Sequence, residues 1–357
     1  MKYIVTINAG SSSFKYALYD ASLKLVDSQK TQTLKELIAL LPDVAITAVG
    51  HRVVHGGTLY KEPTLITDSV LKNLNKLSEL APLHNGPAIE AIEASFGRYG
   101  PSVPQIAVFD TSFFANMPAT CRYYAIPTEL SEKYGIFRFG FHGISHEYLW
   151  KKYLEHTGNK EGKIITLHLG AGCSAAAIAH GAPLDTSMGF TPNEGLVMAT
   201  RCGNIDPEVV AYLSRKQHSS EQDILKLLNY KSGLLGLSGI SDDMQTLLPL
   251  QERVESAKNA IDLFCYRILT YIGAYTAVLG GLDAIIFSAG IGENAPLIRK
   301  RIIDKLHWCG LLLDESANKS AKGPITKISH EKSAVDVFMI PTDENHQIAQ
   351  SIAIYCT

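Results

Sequence analysis

The amino-acid sequence predicts an α/β protein built from mostly parallel sheets with flanking helices, in two domains. Three observations predict this class. The chain has 357 residues, which exceeds what one hydrophobic core usually organises. Short β-branched runs alternate along it with segments of helical period. A unit of strand, glycine-containing loop and strand occurs twice, which favours a duplicated fold.

The composition excludes several classes of protein. Hydrophobic residues make up 46% of the chain and charged residues 19%, as in ordinary globular proteins. The net charge of −2 and the scattered Lys and Arg residues predict that nucleic acid is not a partner. No apolar run reaches membrane-spanning length and no signal peptide is recognisable, so no membrane partner is expected. Six widely spaced cysteines without a CxxC pair fit a reducing cytoplasm.

The first strand–loop–strand unit lies at the start of the chain. Tyr3 to Ile7 and Phe14 to Tyr19 are short β-rich runs, and both predict strands. The residues between them, Asn8-Ala9-Gly10-Ser11-Ser12-Ser13, are small or polar. They suit a hairpin tip that carries exposed backbone N–H groups and hydroxyls.

The second unit begins at Lys163 and reads KIITLHLGAGCSAAAIAHG. Placing Gly10 on Gly170 superposes residues 6–13 on residues 166–173, so that Ser13 falls on Cys173. An apolar strand flanks the loop on each side in both copies. The repeat indicates one loop in each of two duplicated domains, although unrelated hairpins of this type are also common in α/β proteins.

A third glycine-bearing segment joins a predicted strand, Ala284 to Phe287, to a helix. The sequence AGIGEN, residues 289–294, predicts a glycine turn, and the helix is expected to begin near Ala295-Pro296, because proline is tolerated in the first helical turn. Strand, turn and helix N-terminus would form a cradle for phosphate or nucleotide. A glycine used only to turn the chain is the alternative.

The remaining elements follow from apolar periodicity and from β-branched runs. Helices are predicted over Leu34–Leu41, Asp68–Leu80, Pro87–Phe96, Ser145–Glu155, Pro207–Lys216, Ser220–Tyr230, Gln251–Leu279, Pro296–Lys305 and Asn345–Tyr355. Further strands are predicted over Ala48–Val54, Ile106–Phe109, Ile164–His168 and Val335–Ile340.

Polar residues follow several of the predicted strands. Arg52 stands among valines, where it is either paired within the fold or directed at an anion. Asp110 ends a strand, where open α/β sheets place ligand-binding groups, although such aspartates often only cap a helix. His142 and His146 are spaced like a metal pair, but the neighbouring glycines indicate a turn, in which one histidine could bind phosphate.

The richest polar stretch runs from Pro183 to Val210 and has no long periodic segment until its last few residues. Long polar loops inside compact domains are usually functional. Arg201 in this stretch has the planar fork that suits phosphate or carboxylate. Near the end of the chain, Asp343 and Glu344 follow a strand, either as an N-cap with a first-turn acid or as a magnesium ligand.

These candidates form one chemical set. Loops of small residues, a glycine turn, two arginines, a histidine and separate carboxylates are the parts that phosphoryl transfer needs. Its catalysis is mainly positioning and neutralisation of charge on the moving group. The residue pattern therefore favours a phosphotransferase.

The chain also resembles a known family. The segments INAGSSSFKY, GHRVVHGG, APLHNGPA, VFDTSF, GFHGISH, HLGAGCS, DTSMGFTPNEGLVMATRCGNIDP, SGLLGLSGIS and AGIGEN are similar to signatures of the acetate kinases, in order and across nearly the whole chain. That family belongs to the superfamily of acetate and sugar kinases, Hsp70 and actin. The resemblance implies two duplicated actin-like (ribonuclease H-like) domains with a nucleotide cleft between them. It divides the chain into residues 1–113, completed by the C-terminal helix 345–357, and residues 114–344.

The resemblance also implies a reaction. The γ-phosphoryl group of ATP would pass reversibly to acetate by direct in-line transfer, giving acetyl phosphate and ADP. Mg²⁺ (or Mn²⁺) would be the cofactor, the location cytoplasmic and the assembly a homodimer. The alternatives are a kinase for propionate or another short-chain carboxylate, a kinase with a phosphoryl donor other than ATP, and a regulatory protein of the same fold with weak activity.

Carried over position by position, the resemblance assigns roles to named residues. The catalytic residues would be Arg52, Asp110, His142 and Arg201, with Arg52 also contacting the substrate. The methyl group of acetate would be surrounded by Val54, Leu83, Phe141 and Pro192. The metal would be held by Asn8 and Glu344. The phosphates and adenosine would be bound by Ser11, Ser13, Lys15, His84, His168, Gly170, Gly172, Asp243, Gly290, Gly292 and Asn294.

Three positions bear on specificity. Ala171 stands where the family usually has asparagine, so a side-chain amide near the phosphates is missing. Gln245 stands where an arginine is common, which removes a group that could stack on adenine. Relatives that prefer propionate carry a smaller residue in place of Val54, and one methylene is worth about 1–3 kcal/mol of discrimination. Acetate is therefore the favoured acceptor, with propionate as a slower substrate.

Overall fold

The computed structural model describes residues 2–10, 13–78 and 82–355, and the side chains in these ranges except those of residues 82–84. Its first sheet has six strands in the order β3-β2-β1-β4-β6-β5. These are β1 (Tyr3–Ala9), β2 (Phe14–Tyr19), β3 (Leu25–Thr31), β4 (Ile46–Val53), β5 (Thr64–Leu65) and β6 (Gln105–Phe109). The strands β1, β4 and β6 are parallel, and β2, β3 and β5 extend the sheet antiparallel at its two sides.

The second sheet repeats this connectivity. It contains β7 (Lys163–Leu169), β8 (Cys173–Ala179), β9 (Ala182–Thr186), β10 (Ala284–Ser288), β11 (Thr326–Lys327) and β12 (Asp336–Met339). Their order is β9-β8-β7-β10-β12-β11, with the same pattern of parallel and antiparallel pairs as in the first sheet. The predicted α/β class and the predicted duplication are confirmed.

The two hairpins differ in the length of their loops. In the first, Asn8 lies opposite Lys15, and Gly10 N–H donates to the carbonyl of Ser13 at 2.9 Å. In the second, His168 lies opposite Ser174, and Gly170 N–H donates to the carbonyl of Gly172 at 3.0 Å. The second loop is therefore one residue shorter. The predicted superposition of Ser13 on Cys173 is wrong by one residue, because strand register rather than loop sequence fixes the match.

Fifteen helices are described within residues 2–10, 13–78 and 82–355. They are α1 (Leu34–Leu40), α2 (Asp68–Leu77), α3 (Pro82–Tyr99), α4 (Ala119–Arg122), α5 (Thr128–Tyr134), α6 (Gly143–Thr157), α7 (Pro207–Gln217), α8 (Glu221–Tyr230), α9 (Gly233–Ser238), α10 (Met244–Leu247), α11 (Glu255–Leu279), α12 (Ala289–Asn294), α13 (Pro296–Ile303), α14 (Glu315–Ser320) and α15 (Glu344–Ile352). All nine predicted helices exist, with shifted ends. The largest shift is in α3, which begins at Pro82 rather than Pro87.

The predicted glycine turn after β10 is wrong. Residues 289–294 form the short helix α12, and Pro296 opens the separate helix α13. The change of direction falls on one residue, Ala289, whose φ of 62° is in the left-handed region. Because that single residue turns the chain from strand into helix, the glycines that follow are helical rather than part of a turn.

Two helices connect the cores beside the two sheets. Ile348 and Ile352 of α15 pack against Ile4, Ala48 and Ile106 of the first sheet, although α15 follows β12 of the second. Helix α6 contributes Ile144 to that core and Leu149 to a core of the second sheet. The domain boundary at residue 113 stays a prediction. Within the described ranges, no helix has both the length and the apolar character needed to cross a membrane.

Candidate active site

A polar cavity of about 420 Å³ lies between residues of the two duplicated halves. From the first half it is lined by Asn8, Lys15 and Arg52. From the second half and α15 it is lined by His142, His168, Ala289, Gly290, Glu293, Thr342, Asp343, Glu344 and Asn345. Seven residues predicted for the site therefore share one cavity: Asn8, Lys15, Arg52, His142, His168, Gly290 and Glu344.

Arg52 is held by a carboxylate at the end of the neighbouring strand. It sits near the end of β4, and Asp110 follows β6, which runs parallel to β4. Arg52 Nε donates to Asp110 Oδ1 at 2.9 Å and Nη2 donates to Oδ2 at 2.6 Å. This bidentate pair fixes the plane of the guanidinium. The sequence left Arg52 as either paired or directed at an anion, and the structure shows that it is paired.

The third guanidinium nitrogen of Arg52 reaches the wall of the cavity. Arg52 Nη1 donates to Asn8 Oδ1 at 3.2 Å and to Glu344 Oε2 at 3.1 Å. Asn8 Nδ2 also donates to Glu344 Oε2, at 2.7 Å. Three elements that are far apart in sequence, β1, β4 and α15, are joined at this point.

The electrostatics of this cluster follow from burial and from opposite charges. Burial alone would lower the pKa of Arg52, but the carboxylates of Asp110 and Glu344 raise it above its ordinary value. Burial opposes ionisation of Glu344, yet the Arg52 guanidinium holds the pKa of that carboxyl below its usual range. Burial raises the pKa of Asp110, and Arg52 opposes that rise. Arg52 therefore stays charged throughout the physiological range.

Two stacked histidines form the opposite wall. The rings of His142 and His168 are stacked with centroids 4.1 Å apart. His142 precedes α6 in the left-handed conformation, with a φ of 57°. This conformation brings Gly143 N–H to the carbonyl of Asp110 at 2.9 Å, where a Cβ on Gly143 would lie only 2.2 Å from that oxygen. Glycine at position 143 therefore permits the approach that places His142.

Both histidines are neutral in the folded protein. Burial lowers the pKa of His142 well below its ordinary value, and His168 and Arg52 lower it further. Burial lowers the pKa of His168 to about 4. His168 Nδ1 is within 2.8 Å of Ser145 Oγ, which in turn is 2.8 Å from Thr342 Oγ1. A neutral imidazole can still donate one hydrogen bond to an anion.

Arg201 approaches the same histidine from the polar loop after β9. A Cβ on Gly172 would lie 3.1 Å from His142 Cε1, 3.2 Å from His142 Nε2 and 3.6 Å from Arg201 Nη1. Gly172 therefore faces both side chains at close range. Arg201 Nη1 donates to the carbonyl of Pro192 at 3.1 Å, and no carboxylate of the described residues pairs with it. Burial lowers the pKa of Arg201, so an anionic ligand would stabilise its charge.

A second cavity, of about 300 Å³, adjoins the first at Gly290, which lines both. It is less polar, and its walls come from the second half of the chain. The lining includes four residues predicted for nucleotide binding: Gly170, Asp243, Gly290 and Asn294. Ala171 and Gln245, the two positions that depart from the family pattern, also line it.

The remaining predicted residues are less well connected to the two cavities. Val54 packs against the large core of the second half, to which Phe141 belongs, and Pro192 is buried. None of these three lines either cavity. Ser13 closes the first loop through its carbonyl, and Gly292 is buried inside α12. Ser11 and the side chains of Leu83 and His84 lie outside the described residues.

Several polar residues at the site were missed by sequence reasoning. Glu293, Thr342 and Asn345 line the first cavity, and Ser145 and Ser174 contact its histidines. A usable signal was present only for Ser174, a hydroxyl in the otherwise apolar strand β8. His146 was considered as a metal ligand, but its ring is fully buried between two hydroxyls.

The cavity suits a hard cation that also binds phosphate oxygens. Glu344 and Asn8 place side-chain oxygens at the cavity, and Asn345 Oδ1 is a buried oxygen of the same lining without a hydrogen-bond partner in the described structure. Among the described residues no group of three His, Cys, Asp or Glu side chains converges on one point. Because Mg²⁺-like cations keep several waters and share phosphate ligands, few protein ligands are needed.

Fold and site together define the class of protein. Duplicated α/β halves of identical connectivity enclose a polar cleft lined by Arg52, neutral histidines and separate carboxylates, and Arg201 lies beside His142 at Gly172. This is the arrangement of a phosphotransferase of the actin-like fold, and the chain is an enzyme of that class.

Comparison with known proteins gives the family. The model of the Acetokinase family matches residues 32–350. The acetate kinase of Halothermothrix orenii is 48% identical over 86% of this chain and 78% of its own length, and that of Bacillus cytotoxicus is 41% identical over 99% and 98%. The crystal structure of Porphyromonas gingivalis acetate kinase has a TM-score of 0.90 at 32% identity, with 100% of both chains covered. The chain belongs to the acetokinase family.

A further solved structure bears on the acceptor. A propionate kinase from Francisella tularensis subsp. tularensis has a TM-score of 0.91 at 36% identity, covering 98% of this chain and 99% of its own. Structural similarity of this degree to both kinds of kinase shows that the fold alone does not choose between two carboxylates that differ by one methylene.

Proposed function

We propose that the protein transfers the γ-phosphoryl group of ATP reversibly to acetate, giving ADP and acetyl phosphate by direct in-line transfer. The observation that carries this proposal is the convergence of Arg52, His142 and Glu344 on one cavity that adjoins a second, less polar one at Gly290. The first cavity would hold the reacting groups and the second the nucleoside. Phosphoryl transfer depends on such positioning and on charge neutralisation.

Each residue then has a role that its contacts support. Arg52, oriented by Asp110, would bind the acetate carboxylate and the transferring group. Arg201, which lacks a carboxylate partner among the described residues, would neutralise the phosphoryl oxygens, and His142 would donate a hydrogen bond to them. Lys15 and His168 would contact the phosphates from the two hairpins. Because these groups are held in place before substrate arrives, little reorganisation is needed in the transition state.

Asn8 and Glu344, with Asn345, would hold Mg²⁺ (or Mn²⁺) together with the nucleotide phosphates. A cation bound there supplies positive charge to the phosphate oxygens during transfer. Arg52 contacts the oxygens of both Asn8 and Glu344, so these residues also link the metal site to the carboxylate site. Binding through water is compatible with that sharing.

Acetate is the proposed acceptor and propionate the second candidate. By the family resemblance, Val54, Phe141 and Pro192 would surround the methyl group of the acceptor, and a propionate kinase is among the similar solved structures. A methylene changes specificity by only about 1–3 kcal/mol, so both acids are expected to react, with acetate the faster.

Trapping of the acyl phosphate with hydroxylamine tests the proposal. Acetate, propionate and butyrate would each be assayed with ATP, GTP and pyrophosphate in the presence of Mg²⁺. The expected result is highest kcat/KM for acetate with ATP. Absence of turnover with every pair would refute the proposed carboxylate kinase activity. Turnover only with pyrophosphate would contradict ATP as the phosphoryl donor but not the carboxylate as acceptor.

Arg201→Ala tests the role of the unpaired arginine. Turnover is expected to fall by about 10²–10³-fold, as for loss of one transition-state donor, while the protein stays folded. Arg215→Ala, an exposed arginine on α7, is the matched control and should leave turnover unchanged. Near-normal turnover of a correctly folded Arg201→Ala protein would contradict the assignment.

We also propose a homodimer in the cytoplasm, on the basis of the family resemblance. The five described cysteines are free, which is compatible with a reducing compartment. Sedimentation equilibrium of the purified protein tests the assembly: a single species at the monomer mass would refute the dimer.

A further inference from the structure

We propose that Thr166, His146 and Ser174 form a one-way chain of hydrogen bonds that holds His142 in the tautomer with its proton on Nε2, facing the active-site cavity. They act as positioning residues, since they contact His142 or one another and not the cavity. The inference rests on the proposed role of His142 as a hydrogen-bond donor to the transferring group.

The chain is continuous and buried. His142 Nδ1 is 2.9 Å from Ser174 Oγ, and the same oxygen is 2.8 Å from His146 Nε2. His146 Nδ1 is 2.6 Å from Thr166 Oγ1. Thr166, His146 and Ser174 are each fully buried. Three separate elements, α6, β7 and β8, therefore meet in one line of hydrogen bonds that ends at the cavity.

Each hydroxyl has one proton, so a chain in which Ser174 both donates and accepts can run in only two directions. If Ser174 accepted from both rings, its own buried proton would have no acceptor among the described residues. In the first, Thr166 donates to His146 Nδ1, His146 Nε2–H donates to Ser174, and Ser174 donates to His142 Nδ1. His142 then carries its proton on Nε2. In the second, every donor and acceptor is exchanged, and His142 Nε2 is a bare acceptor.

The buried end of the chain selects the first direction. In the second direction the Thr166 hydroxyl would have to donate to a further acceptor, because its oxygen would already accept from His146. Among the described residues, His146 is the only hydrogen-bond partner of that hydroxyl. An unpaired buried hydroxyl costs about 1–3 kcal/mol, which corresponds to at least a fivefold preference for the first direction.

The first half of the molecule shows what the alternative looks like. Thr6 occupies the position in β1 that Thr166 occupies in β7, and its hydroxyl donates to the carbonyl of Ala17 on the paired strand at 3.4 Å. At Thr166 the carbonyl partner has been replaced by the imidazole of His146. Of the two matched threonines, only Thr166 contacts and orients a histidine.

Neutral imidazoles are a requirement of this chain, since a doubly protonated ring has no acceptor nitrogen. Burial lowers the pKa of His142 and of His146 well below the ordinary value. Each neutral ring therefore carries one proton, and the direction of the hydrogen bonds determines whether it is on Nδ1 or Nε2. His142 Nε2 would lie 3.2 Å from a Cβ on Gly172, so glycine at position 172 leaves space beside this nitrogen.

The tautomer can be measured directly by ¹⁵N NMR of the imidazole nitrogens in the full-length protein without substrate. Protonated and bare ring nitrogens have well-separated ¹⁵N shifts, and His142→Gln assigns the resonance. The expected result is a bare Nδ1 and a protonated Nε2 on His142. A proton on Nδ1 in the wild-type protein would overturn the proposal.

Thr166→Val removes the hydroxyl that sets the direction and conserves shape. His142 is expected to become a mixture of tautomers, and kcat to fall about tenfold with KM for acetate changed less than twofold. Thr166→Ser should restore both, and Thr6→Val, at the matched position of the other half, should change neither. If Thr166→Val does not fold, Ser174→Ala breaks the chain at a second point with the same expected loss of a single tautomer.

The two readouts separate this inference from the role of His142. A changed tautomer with unchanged kcat would support the chain and contradict the hydrogen bond from His142 to the transferring group. An unchanged single tautomer in both Thr166→Val and Ser174→Ala would overturn the chain, whatever the kinetics.

Discussion

The first and second hairpins of the molecule have the same strand pairing but carry different polar side chains. At matched positions the first has Asn8 and Lys15, and the second has His168 and Ser174. The first loop is one residue longer. The first hairpin thus presents an amide and a cation to the cavity, whereas the second presents the neutral imidazole of His168 and keeps the Ser174 hydroxyl buried behind His142.

This difference shows how a duplicated scaffold presents different side chains to one cavity. The first half, with Arg52 and Asp110, supplies fixed charge, and Glu344 joins it through Asn8. The second half supplies the neutral histidines His142 and His168, the arginine Arg201 and the walls of the less polar second cavity. Strand register is common to both halves, so the substitutions at a few strand ends are sufficient to specialise them.

The largest effect is expected from the loss of the Arg52 ion pairs. Arg52→Gln leaves Asp110 buried without its bidentate partner and removes the link to Glu344. Turnover should fall by about 10³-fold or more, and unfolding free energy by about 3–5 kcal/mol, because one member of a buried ion pair is left uncompensated. Steady-state kinetics and urea unfolding measure the two losses.

The control is Arg98→Gln, which breaks a surface pair. Arg98 Nη2 is 3.3 Å from Asp43 Oδ1, and the Asp43 side chain is 94% exposed. Such pairs contribute about 0–1 kcal/mol. If Arg52→Gln lowered turnover and unfolding free energy no more than Arg98→Gln does, the ion pairs of Arg52 would have no special role in activity or stability.

An intermediate effect is expected in the shorter loop. A methyl group on Gly172 would lie 3.1 Å from His142 Cε1, between that ring and Arg201. Gly172→Ala should therefore lower kcat by about 10–100-fold, in line with the cost of displacing a catalytic group by a fraction of an ångström. Kinetics with saturating acetate and ATP test this.

Gly170→Ala, in the same loop, is the control for the kcat of Gly172→Ala. Its Cβ would meet only ordinary contacts, the nearest being the carbonyl of Gly172 at 3.4 Å. A smaller effect, confined to KM for the nucleotide, is expected because Gly170 lines the second cavity. Equal losses of kcat in both variants would mean that the loop backbone, and not the space beside His142, is sensitive.

The last effect concerns the stability of the fold in acid and not turnover. His142, His146 and His168 have folded-state pKa values far below 6.5, that of His168 being about 4. Above pH 6.5 they are neutral in both states. As the pH falls below that value the unfolded chain gains protons that the folded protein does not, so unfolding free energy decreases, by up to about 1.4 kcal/mol per pH unit for each histidine.

Urea unfolding between about pH 7 and pH 5 measures this slope. His146→Gln should flatten it by the contribution of one histidine. His156→Gln, which replaces an exposed histidine on the same helix, should leave it unchanged. A slope that does not respond to His146→Gln would show that this histidine does not contribute to the acid sensitivity.

The elements that sequence predicted best are those with strong apolar patterns. The buried strands β1, β7 and β10 and the long helix α11 were all anticipated from such runs. The strand β3 was not, because LVDSQKT is an exposed edge strand without apolar alternation. The sequence predicts a turn where the structure has the helix α12, since nothing in the sequence indicates that Ala289 adopts a positive φ.

The site was predictable where chemistry is concentrated in a recognisable side chain. Arg52, Asp110, His142 and Glu344 could be named in advance, because a charged or ring-bearing residue at a strand end stands out. Small hydroxyls such as Ser174 inside buried strands do not stand out, and their importance comes only from the rings that fold against them. The one-residue offset between the loops likewise required the pairing of the strands.

The helix α15 lies near the end of the chain, but it completes both the core of the first sheet and the lining of the cavity. Asn8 and Glu344 are 336 residues apart, and Ile348 and Ile352 fill the core behind β1 and β4. During synthesis the first sheet emerges early but lacks this helix, so its core stays incomplete and its cavity lacks a carboxylate until residues 344–352 arrive. We therefore expect a chain that lacks residues 344–352 to be inactive, because this late helix completes the core of the first sheet and places Glu344 in the cavity.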